Sequence, residues 1–506
     1  MIFSFLLSLL CFLAIGILSA TRKQTNTEDY LLAGRAVNPW LTALSAVATN
    51  NSGFMFIGLI GATYQGGLSS MWIMIGWVCG EYCAWRWVFR EFRERSQTAG
   101  TETVASFLAT TFGSDETMEK NEHETSEDVT TARAPGDVDL AAGQSGGVPG
   151  RQRPVAVLAA LVTLVFLGTY AAAQLTAGSK ALHVLFHWDY LAGTLIGAGI
   201  VAAYCFAGGI RASIWTDAAQ SFVMLLSMFL LLFVSLREMG GFGAFWERLA
   251  AIDPALIDWR PEDGKYGVGL FIVGWMFAGL GVLGQPHVMV RAMAIDRADH
   301  MATARRIYFV WYAGFSAAAT LVGLCCRVLL PAATNFDEEL ALPLLSQQLL
   351  PEVLVGFILA GLFAATISTA DSQILSCSAA LTQDLFPRWG RSYAHTKFGT
   401  LLVTGMVVGI VIYASQNVFE LVVLSWAALA SSLGPLLAVR SLGVRVRTET
   451  GVAMIVAGLG TVLIWRYVLG LSDAVYDVLP GMTVGFAVFG IGRFAGRKET
   501  NLNEER

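Results

Sequence analysis

Hydrophobic and polar positions alternate along this chain in long blocks. Apolar runs of around twenty residues, long enough to cross a bilayer as helices, are separated by shorter polar connections. Such runs are too long for the strands of a membrane barrel. Thirteen of them are predicted, over residues 2–20, 40–64, 67–89, 155–182, 190–207, 213–236, 267–290, 307–330, 353–381, 400–414, 419–439, 452–469 and 474–492.

Composition supports a membrane protein. The chain has 506 residues, of which 55% are hydrophobic and only 14% charged, whereas about a quarter are charged in a typical soluble domain. All seven cysteines lie in apolar segments without metal-ligand spacing, so they are interpreted as small buried hydrophobic residues. The predicted fold class is an all-α polytopic membrane protein embedded in the lipid bilayer.

The basic residues predict the orientation of the chain. With the N-terminus outside, the predicted inner loops hold 25 of the 33 Lys and Arg residues, which is the positive-inside pattern. We therefore expect a multi-pass protein of the plasma (inner) membrane, with the C-terminus in the cytoplasm. Residues 113–153 carry nine acidic residues and no aromatic residue, and are predicted to be a disordered acidic cytoplasmic loop.

The second apolar run contains the stretch A-L-S-A-V-A-T-N-N-S-G-F-M-F-I-G-L at 43–59, which places five poor helix formers, 49–53, at mid-depth. Backbone groups freed there must be satisfied inside the protein. One interpretation is a polar kink between packed helices. The other is a discontinuous helix whose opened carbonyls hold an ion.

A second interrupted run predicts an internal repeat. The second half of the run 267–290 contains Gly279, Gly281, Gly284 and Pro286, and this run lies five segments after the first interrupted one. Two five-helix repeats of inverted topology would produce that spacing, with the substrate site where the broken helices meet. The predicted organisation is an extra N-terminal helix and loop (1–39), the first repeat (40–112 and 154–236), the acidic loop (113–153), the second repeat (267–439), two C-terminal helices (440–492) and a tail (493–506).

The ninth run carries polar groups on one helix face. Ser368, Asp371 and Ser372 are spaced i, i+3 and i+4 in A-A-T-I-S-T-A-D-S-Q. A carboxylate inside a membrane is costly, so Asp371 is predicted to be functional, and these oxygens suit Na⁺. Asp217, near the start of its helix, can instead be explained by a favourable interaction with the helix dipole.

No enzyme motif competes with these features. The chain has no phosphate-binding loop, no HExxH and no G-x-S-x-G, and we expect neither catalysis nor nucleic-acid binding. His287, after Pro286, is interpreted as structural.

Five stretches carry a resemblance to a known family. They are E-D-Y-L-L-A-G-R (28–35), A-L-S-A-V-A-T-N-N-S-G (43–53), G-G-I-R-A-S-I-W-T-D-A-A-Q (208–220), G-Q-P-H-V-M-V-R (284–291) and A-A-T-I-S-T-A-D-S-Q-I-L (364–375). In this order they resemble the sodium:solute symporter family, most of all its sodium/proline members. The resemblance implies thirteen helices, a leucine-transporter-type fold with a 5+5 inverted repeat, and secondary transport driven by Na⁺.

The resemblance also implies site residues. The main Na⁺ would be bound by backbone oxygens of Ala48, Asn51 and Ala365 and by the hydroxyls of Ser368 and Thr369. A candidate second Na⁺ would lie between Asp217, Asp371 and Ser372. Substrate positions would be Ser52, Gly53, Gly58, Trp275, Ala278 and Val282, and coupling positions Arg35 and Asn50.

Two departures from the proline carriers limit the substrate assignment. Those carriers have an acidic residue where this chain has Asn50, and a Trp and a Tyr where it has Ala278 and Val282. Na⁺-coupled symport of a small solute is expected, with proline or a related amino acid first. Pantothenate, carboxylate or sugar symport and proton coupling through Asp371 are the alternatives, and the sequence predicts no oligomeric state.

Overall fold

The chain is described here from a computed structural model, which covers residues 1–20, 26–110, 152–261, 267–330 and 336–504. In these ranges the chain is helical with short connections, and no strand is present beyond one isolated parallel bridge between Val37 and Ile295. The predicted all-α class is therefore confirmed. The predicted acidic loop at 113–153 lies almost entirely outside the described residues.

The principal helices are numbered in chain order. The first ten are α1 (Ile2–Ala20), α2 (Thr27–Leu32), α3 (Pro39–Asn50), α4 (Leu59–Gly66), α5 (Met71–Trp87), α6 (Phe89–Thr98), α7 (Val104–Ala109), α8 (Arg153–Val162), α9 (Gly168–Phe186) and α10 (Tyr190–Met239). The others are α11 (Phe242–Ile252), α12 (Val268–Leu280), α13 (Pro286–Ala294), α14 (Met301–Leu329), α15 (Ala341–Leu349), α16 (Glu352–Ala379), α17 (Pro387–Gly390), α18 (Tyr393–Tyr413), α19 (Val418–Ser441), α20 (Thr448–Leu463) and α21 (Val478–Glu504).

Many of these helices can cross a membrane. Among the described residues, nine are long and apolar enough, and eleven spans result if each of two bent helix pairs is counted as one. Residues Tyr190–Ala203 form a shorter apolar helix, which continues into the next span through a kink at Gly209, where φ is +58°. A multi-pass membrane protein is thus confirmed, while the count of thirteen spans stays a prediction.

Both runs that the sequence predicts to be interrupted are bent. Helix α3 and the segment that follows from Phe54 meet at 50°, and the segment from Val268 to Gly284 meets α13 at 58°. The first bend follows from the non-helical backbone of Asn51, and the second from Gln285, whose extended backbone precedes Pro286. The prediction of two broken spans is confirmed.

Two helices form the centre of the bundle. Of the 18 most apolar consecutive residues in each span, 94% are buried in α19 and 83% in the span that contains α16, against 22% in α1. Helix α16 carries Ser368 and Thr369, which are both fully buried. These hydroxyls therefore face the protein interior and not lipid.

Candidate ion and solute site

The first break satisfies its own backbone groups from inside the protein. The N–H of Gly53 donates to Oε1 of Gln174 at 2.8 Å, and the N–H of Phe54 donates to Oγ of Ser52 at 3.2 Å. A β-carbon on Gly53 would lie 2.7 Å from the Ala177 side chain, so glycine is needed for this close packing. The helix can therefore open here at membrane depth without leaving these donors unpaired.

The opened end of α3 meets the hydroxyls of α16. Oγ of Ser368 lies 3.2 Å from the carbonyl of Ala48 and 3.1 Å from that of Ala365. Oγ1 of Thr369 lies 2.9 Å from the carbonyl of Thr49 and 3.0 Å from that of Ala365. Three carbonyl and two hydroxyl oxygens thus converge in a buried place. Such a neutral oxygen set suits a monovalent hard cation, as in the unwound helices of other transporters.

The structure brings together four of the five residues predicted for the main Na⁺ site. Ala48, Ala365, Ser368 and Thr369 share the contacts just described, and the fifth, Asn51, lies at the break with its buried amide oxygen unpaired among the described residues. Sequence reasoning missed the carbonyl of Thr49, although Thr49 stands in the polar row that identified the break. Which backbone carbonyl is free to face the ion site depends on the residue at which α3 ends.

The residues predicted for a second Na⁺ surround a guanidinium group. Arg291 donates to Oδ2 of Asp217 at 3.0 Å and to Oγ of Ser372, and both of its partners are fully buried. Asp371 accepts hydrogen bonds from Ser213 at 3.0 Å and from Ser372 at 2.9 Å. Sequence reasoning quoted Arg291 in a motif but did not place it here. The helix-dipole explanation of Asp217 is incomplete, because this carboxylate pairs with a buried cation.

Aromatic side chains surround the region between the two breaks. Trp77 packs against Trp426, with ring centroids 4.7 Å apart, and against Trp275 at 6.1 Å. Tyr170 lies between Trp426 and His287, at 6.4 and 5.6 Å. All five rings are buried. They form a compact wall beside Ser52, whose hydroxyl lies 3.4 Å from that of Tyr170.

The predicted substrate positions border this aromatic wall. The carbonyl of Ala278 accepts from the indole N–H of Trp426 at 2.8 Å, and Val282 is fully buried in the turn that follows. Trp275 also stacks on Tyr476 at 4.6 Å. A β-carbon on Gly58 would lie 3.1 Å from the backbone of Phe419, so Gly58 permits close packing at one end of the site.

Buried polar atoms without a partner cluster in the same region. Within the described residues they include Nε1 of Trp77, Nε2 of Gln174, Oε1 of Gln285 and both ring nitrogens of His287. Buried polar atoms are rarely left unpaired in folded proteins. Their concentration around both breaks marks the place where a polar solute would find its partners.

The sequence analysis also missed a buried acid of this region. Glu81 of α5 is fully buried, and its carboxylate accepts from Nδ2 of Asn50 at 3.0 Å and from the hydroxyl of Tyr308 at 2.6 Å. An acidic residue inside an apolar run is itself a functional signal, and this one could have been found from the sequence. Asn50 thus neighbours a carboxylate on another helix.

The two ends of the bundle are closed by polar contacts. At one end Nζ of Lys180 lies 2.6 Å from Asp337 and 2.7 Å from Glu339. Glu339 also accepts from the N–H groups of Val418 and Phe419, at the start of α19. Glu339 therefore links three elements: α9, the segment before α15 and the start of α19.

At the opposite end the segments before α3 and after α13 are joined. The N–H of Val37 donates to Ala294 at 3.1 Å, and that of Asp296 donates to Val37 at 2.9 Å. Arg35, predicted to be a coupling residue, donates to the carbonyl of Thr101 at 2.6 Å. Nearby, burial lowers the pKa of Arg93 to about 10, and the charge of Arg35 adds to the shift.

Comparison with known proteins agrees with this geometry. The model of the "Sodium:solute symporter family" matches residues 30–119 and 150–457. The chain is 30% identical over 472 residues to the high-affinity proline transporter PutP of Bacillus subtilis, with 91% of each chain covered. It is 29% identical to the sodium/proline symporter of Escherichia coli, over 93% of this chain and 89% of the relative.

Two solved structures share the fold. A Na⁺-coupled sialic acid symporter, solved in a substrate-bound outward-open state, superposes with a TM-score of 0.76 at 18% identity, covering 96% of both chains. Mhp1, a nucleobase-cation-symport-1 family transporter, superposes with a TM-score of 0.53 at 13% identity, covering 93% of this chain and 95% of the other. The predicted leucine-transporter-type fold is confirmed. Because the family model matches most of this chain, the chain belongs to the sodium:solute symporter family.

Proposed function

We propose that this protein is a Na⁺-coupled symporter of proline or a closely related amino acid, working by alternating access. The observation that carries the proposal is the meeting of opened α3 carbonyls with the hydroxyls of Ser368 and Thr369. The named functions of the relatives, which include proline transporters from two bacteria, support the choice of solute.

In this proposal Na⁺ binds where α3 stops and stabilises the contact between α3 and α16. The bound ion shapes the adjoining solute region, because Ser52 and Gly53 follow the ion-binding carbonyls directly. The solute's carboxylate would lie near the beginning of the second half-helix, where the free N–H of Gln174 offers a donor. Na⁺ binding and solute binding thereby use the same break.

The two polar closures are proposed to act as gates. The Lys180–Glu339 contact is assigned to the outer face and the Val37–Asp296 contact to the cytoplasmic face, which follows from an outside N-terminus and a cytoplasmic C-terminus. The distribution of Lys and Arg supports that orientation. A small cleft lined by Pro286, Val290, Leu375 and Ser376 lies beside the second break, and the proposed exit path would begin there.

One Na⁺ per solute is proposed. The candidate second site already contains a covalently attached cation, since the guanidinium of Arg291 pairs with Asp217 and contacts Ser372. One charge crossing 100 mV gives about 2.3 kcal/mol, and a tenfold Na⁺ gradient adds about 1.4 kcal/mol. A single ion can therefore sustain an accumulation of several hundredfold.

The test is uptake of labelled L-proline into proteoliposomes under an imposed Na⁺ gradient. We expect accumulation that requires Na⁺ and a Hill coefficient of about 1 for the ion. Accumulation that persists in K⁺ at constant pH would refute Na⁺ coupling, and uptake driven by a pH gradient at zero Na⁺ would establish proton coupling in its place.

A further inference from the structure

Glu81 is a buried acid whose contacts with other side chains come from neutral donors. It lies on α5, fully inaccessible to solvent, one residue from Gly80, whose close packing against the backbone of Met276 fixes α5 to α12. In the described part of the chain, its carboxylate is contacted by the side chains of Asn50, Tyr308 and Trp85. None of these carries a positive charge.

The hydrogen bonds around Glu81 are those of a carboxyl group that accepts. The amide nitrogen of Asn50 donates to Oε2 of Glu81 at 3.0 Å and to the hydroxyl oxygen of Tyr308 at 2.8 Å. The hydroxyl of Tyr308 in turn donates to Oε1 of Glu81, at 2.6 Å. Every contact thus presents a hydrogen to the carboxylate, which is the arrangement for an acceptor-only group.

A buried carboxyl group with neutral partners is stabilised either by taking up a proton or by a cation that enters from outside the protein. A buried carboxylate with neutral partners is costly, and the bonds from Asn50 and Tyr308 recover part of that cost without cancelling the charge. The oxygens proposed to bind Na⁺ belong to α3 and α16 and do not include the carboxylate of Glu81. A transported solute with a positive charge would supply a cation to it.

The neighbouring rings indicate which cation would fit. Trp77 lies one helical turn before Glu81 and so projects from the same face of α5. It packs against Trp426, which in turn contacts Tyr170. Indole and phenol faces attract ammonium groups, and a carboxylate beside them completes the recognition of an ammonium ion.

We propose that Glu81, together with the faces of Trp77, Trp426 and Tyr170, receives the ammonium group of the transported solute. The proposal deepens the proposed function and rests on it: the solute is a compact molecule bearing an ammonium group. Glu81 then determines specificity, rejecting carboxylates and sugars of similar size because they leave its charge unpaired.

The experiment uses a matched pair of solutes and the full-length protein. L-proline is compared with tetrahydrofuran-2-carboxylate, in which an ether oxygen replaces the ammonium. Inhibition of labelled proline uptake in proteoliposomes is measured for the wild type, for Glu81→Gln and for Tyr308→Phe. Na⁺ binding without solute is measured in parallel from Na⁺-induced tryptophan fluorescence.

We expect the wild type to prefer proline strongly, and Glu81→Gln to bind proline about 10- to 100-fold more weakly, as for the loss of a charge-assisted bond. Its preference for proline over the ether should fall to within about threefold, while its Na⁺ affinity stays within about twofold of wild type. Tyr308→Phe removes a hydrogen bond but keeps the charge, and should retain the preference.

Three results would overturn the inference. They are an undiminished preference in Glu81→Gln, an equal loss of preference in Tyr308→Phe, or a loss of Na⁺ affinity as large as the loss of proline affinity. If Glu81→Gln does not fold, Glu81→Asp is measured in its place, because aspartate keeps the negative charge. A lost preference for proline over the ether in Glu81→Asp refutes the proposal, and a retained preference supports it.

A solute panel separates this inference from the proposed function. Thermal stabilisation of the purified protein is measured with compact amino acids and their uncharged analogues, with and without Na⁺. If no ammonium-bearing solute stabilises the wild type, the inference fails, even where uptake of another solute depends on Na⁺. If an ammonium solute binds but its uptake ignores Na⁺, the coupling fails and the role of Glu81 stands.

Discussion

Removing the hydroxyl of Thr369 tests the proposed ion site most directly. Oγ1 of Thr369 lies 2.9 Å from the carbonyl of Thr49 and 3.0 Å from that of Ala365. It is therefore an oxygen that bridges the broken helix and α16. In Thr369→Ala the helix is kept, because alanine has the higher helix propensity, and only this oxygen and one methyl group are lost.

The expected fall in Na⁺ affinity follows from the kind of bond that is lost. A hydrogen bond to a charged group contributes about 1.5–3 kcal/mol, and loss of one oxygen from five around a Na⁺ is of that order. This corresponds to a fall in Na⁺ affinity of about 10- to 150-fold. The solute affinity at saturating Na⁺ should change much less, because Thr369 belongs to the ion site and lies outside the solute region.

The assay is the Na⁺ concentration for half-maximal proline uptake, measured at fixed membrane potential. Thr369→Ser keeps the hydroxyl and should remain within about threefold of wild type. Thr320→Ala is the matched control, since the hydroxyl of Thr320 is buried and bonds within its own helix, to Ser316 at 3.0 Å. An unchanged Na⁺ requirement in Thr369→Ala, or an equal change in Thr320→Ala, would refute the site.

Three further substitutions test other parts of the structure. Gly53→Ala places a β-carbon 2.7 Å from Ala177 and should cost about 1–3 kcal/mol of unfolding free energy by overpacking, seen as a lower melting temperature; a wild-type melt would contradict the close packing at the break. Arg291→Gln leaves Asp217 and Asp371 without their cation, so the melting temperature should fall sharply at low Na⁺ and recover partly at high Na⁺; a melt that is equally low at all Na⁺ concentrations would exclude a cation site there. Glu339→Gln weakens the contact with Lys180, so cysteine labelling near Phe419 from outside should become faster; equal labelling rates would exclude an outer gate at this contact.

Much of the ion site could be predicted from the sequence because its signals are local. A row of polar residues at mid-depth in an apolar run identifies a break, and hydroxyls spaced along one helix face identify the partner surface. The structure confirms the break after Asn50 and brings Ser368 and Thr369 against Ala48 and Thr49.

The missed features depend on contacts between distant parts of the chain. Arg291 reaches Asp217 from 74 residues away, and Tyr308 reaches Glu81 from 227 residues away. Nothing in the local pattern around Arg291 distinguishes a buried cation from a residue at the end of a helix. Glu81 differs, because an acid surrounded by apolar residues is a signal in itself, and only its partners required the structure.

The carboxylates of Asp217 and Glu81 differ in the source of the positive charge that balances them. At Asp217 the protein supplies its own cation, Arg291, and fixes it with hydroxyls from three helices. At Glu81 the described residues that contact the carboxylate are the neutral donors Asn50, Tyr308 and Trp85. A permanently paired site cannot be emptied in each transport cycle, whereas a site that lacks its own cation can bind and release one. Among the described residues no positive charge of the protein lies beside Glu81, and this is what qualifies Glu81, rather than Asp217, for the proposed recognition of an ammonium group.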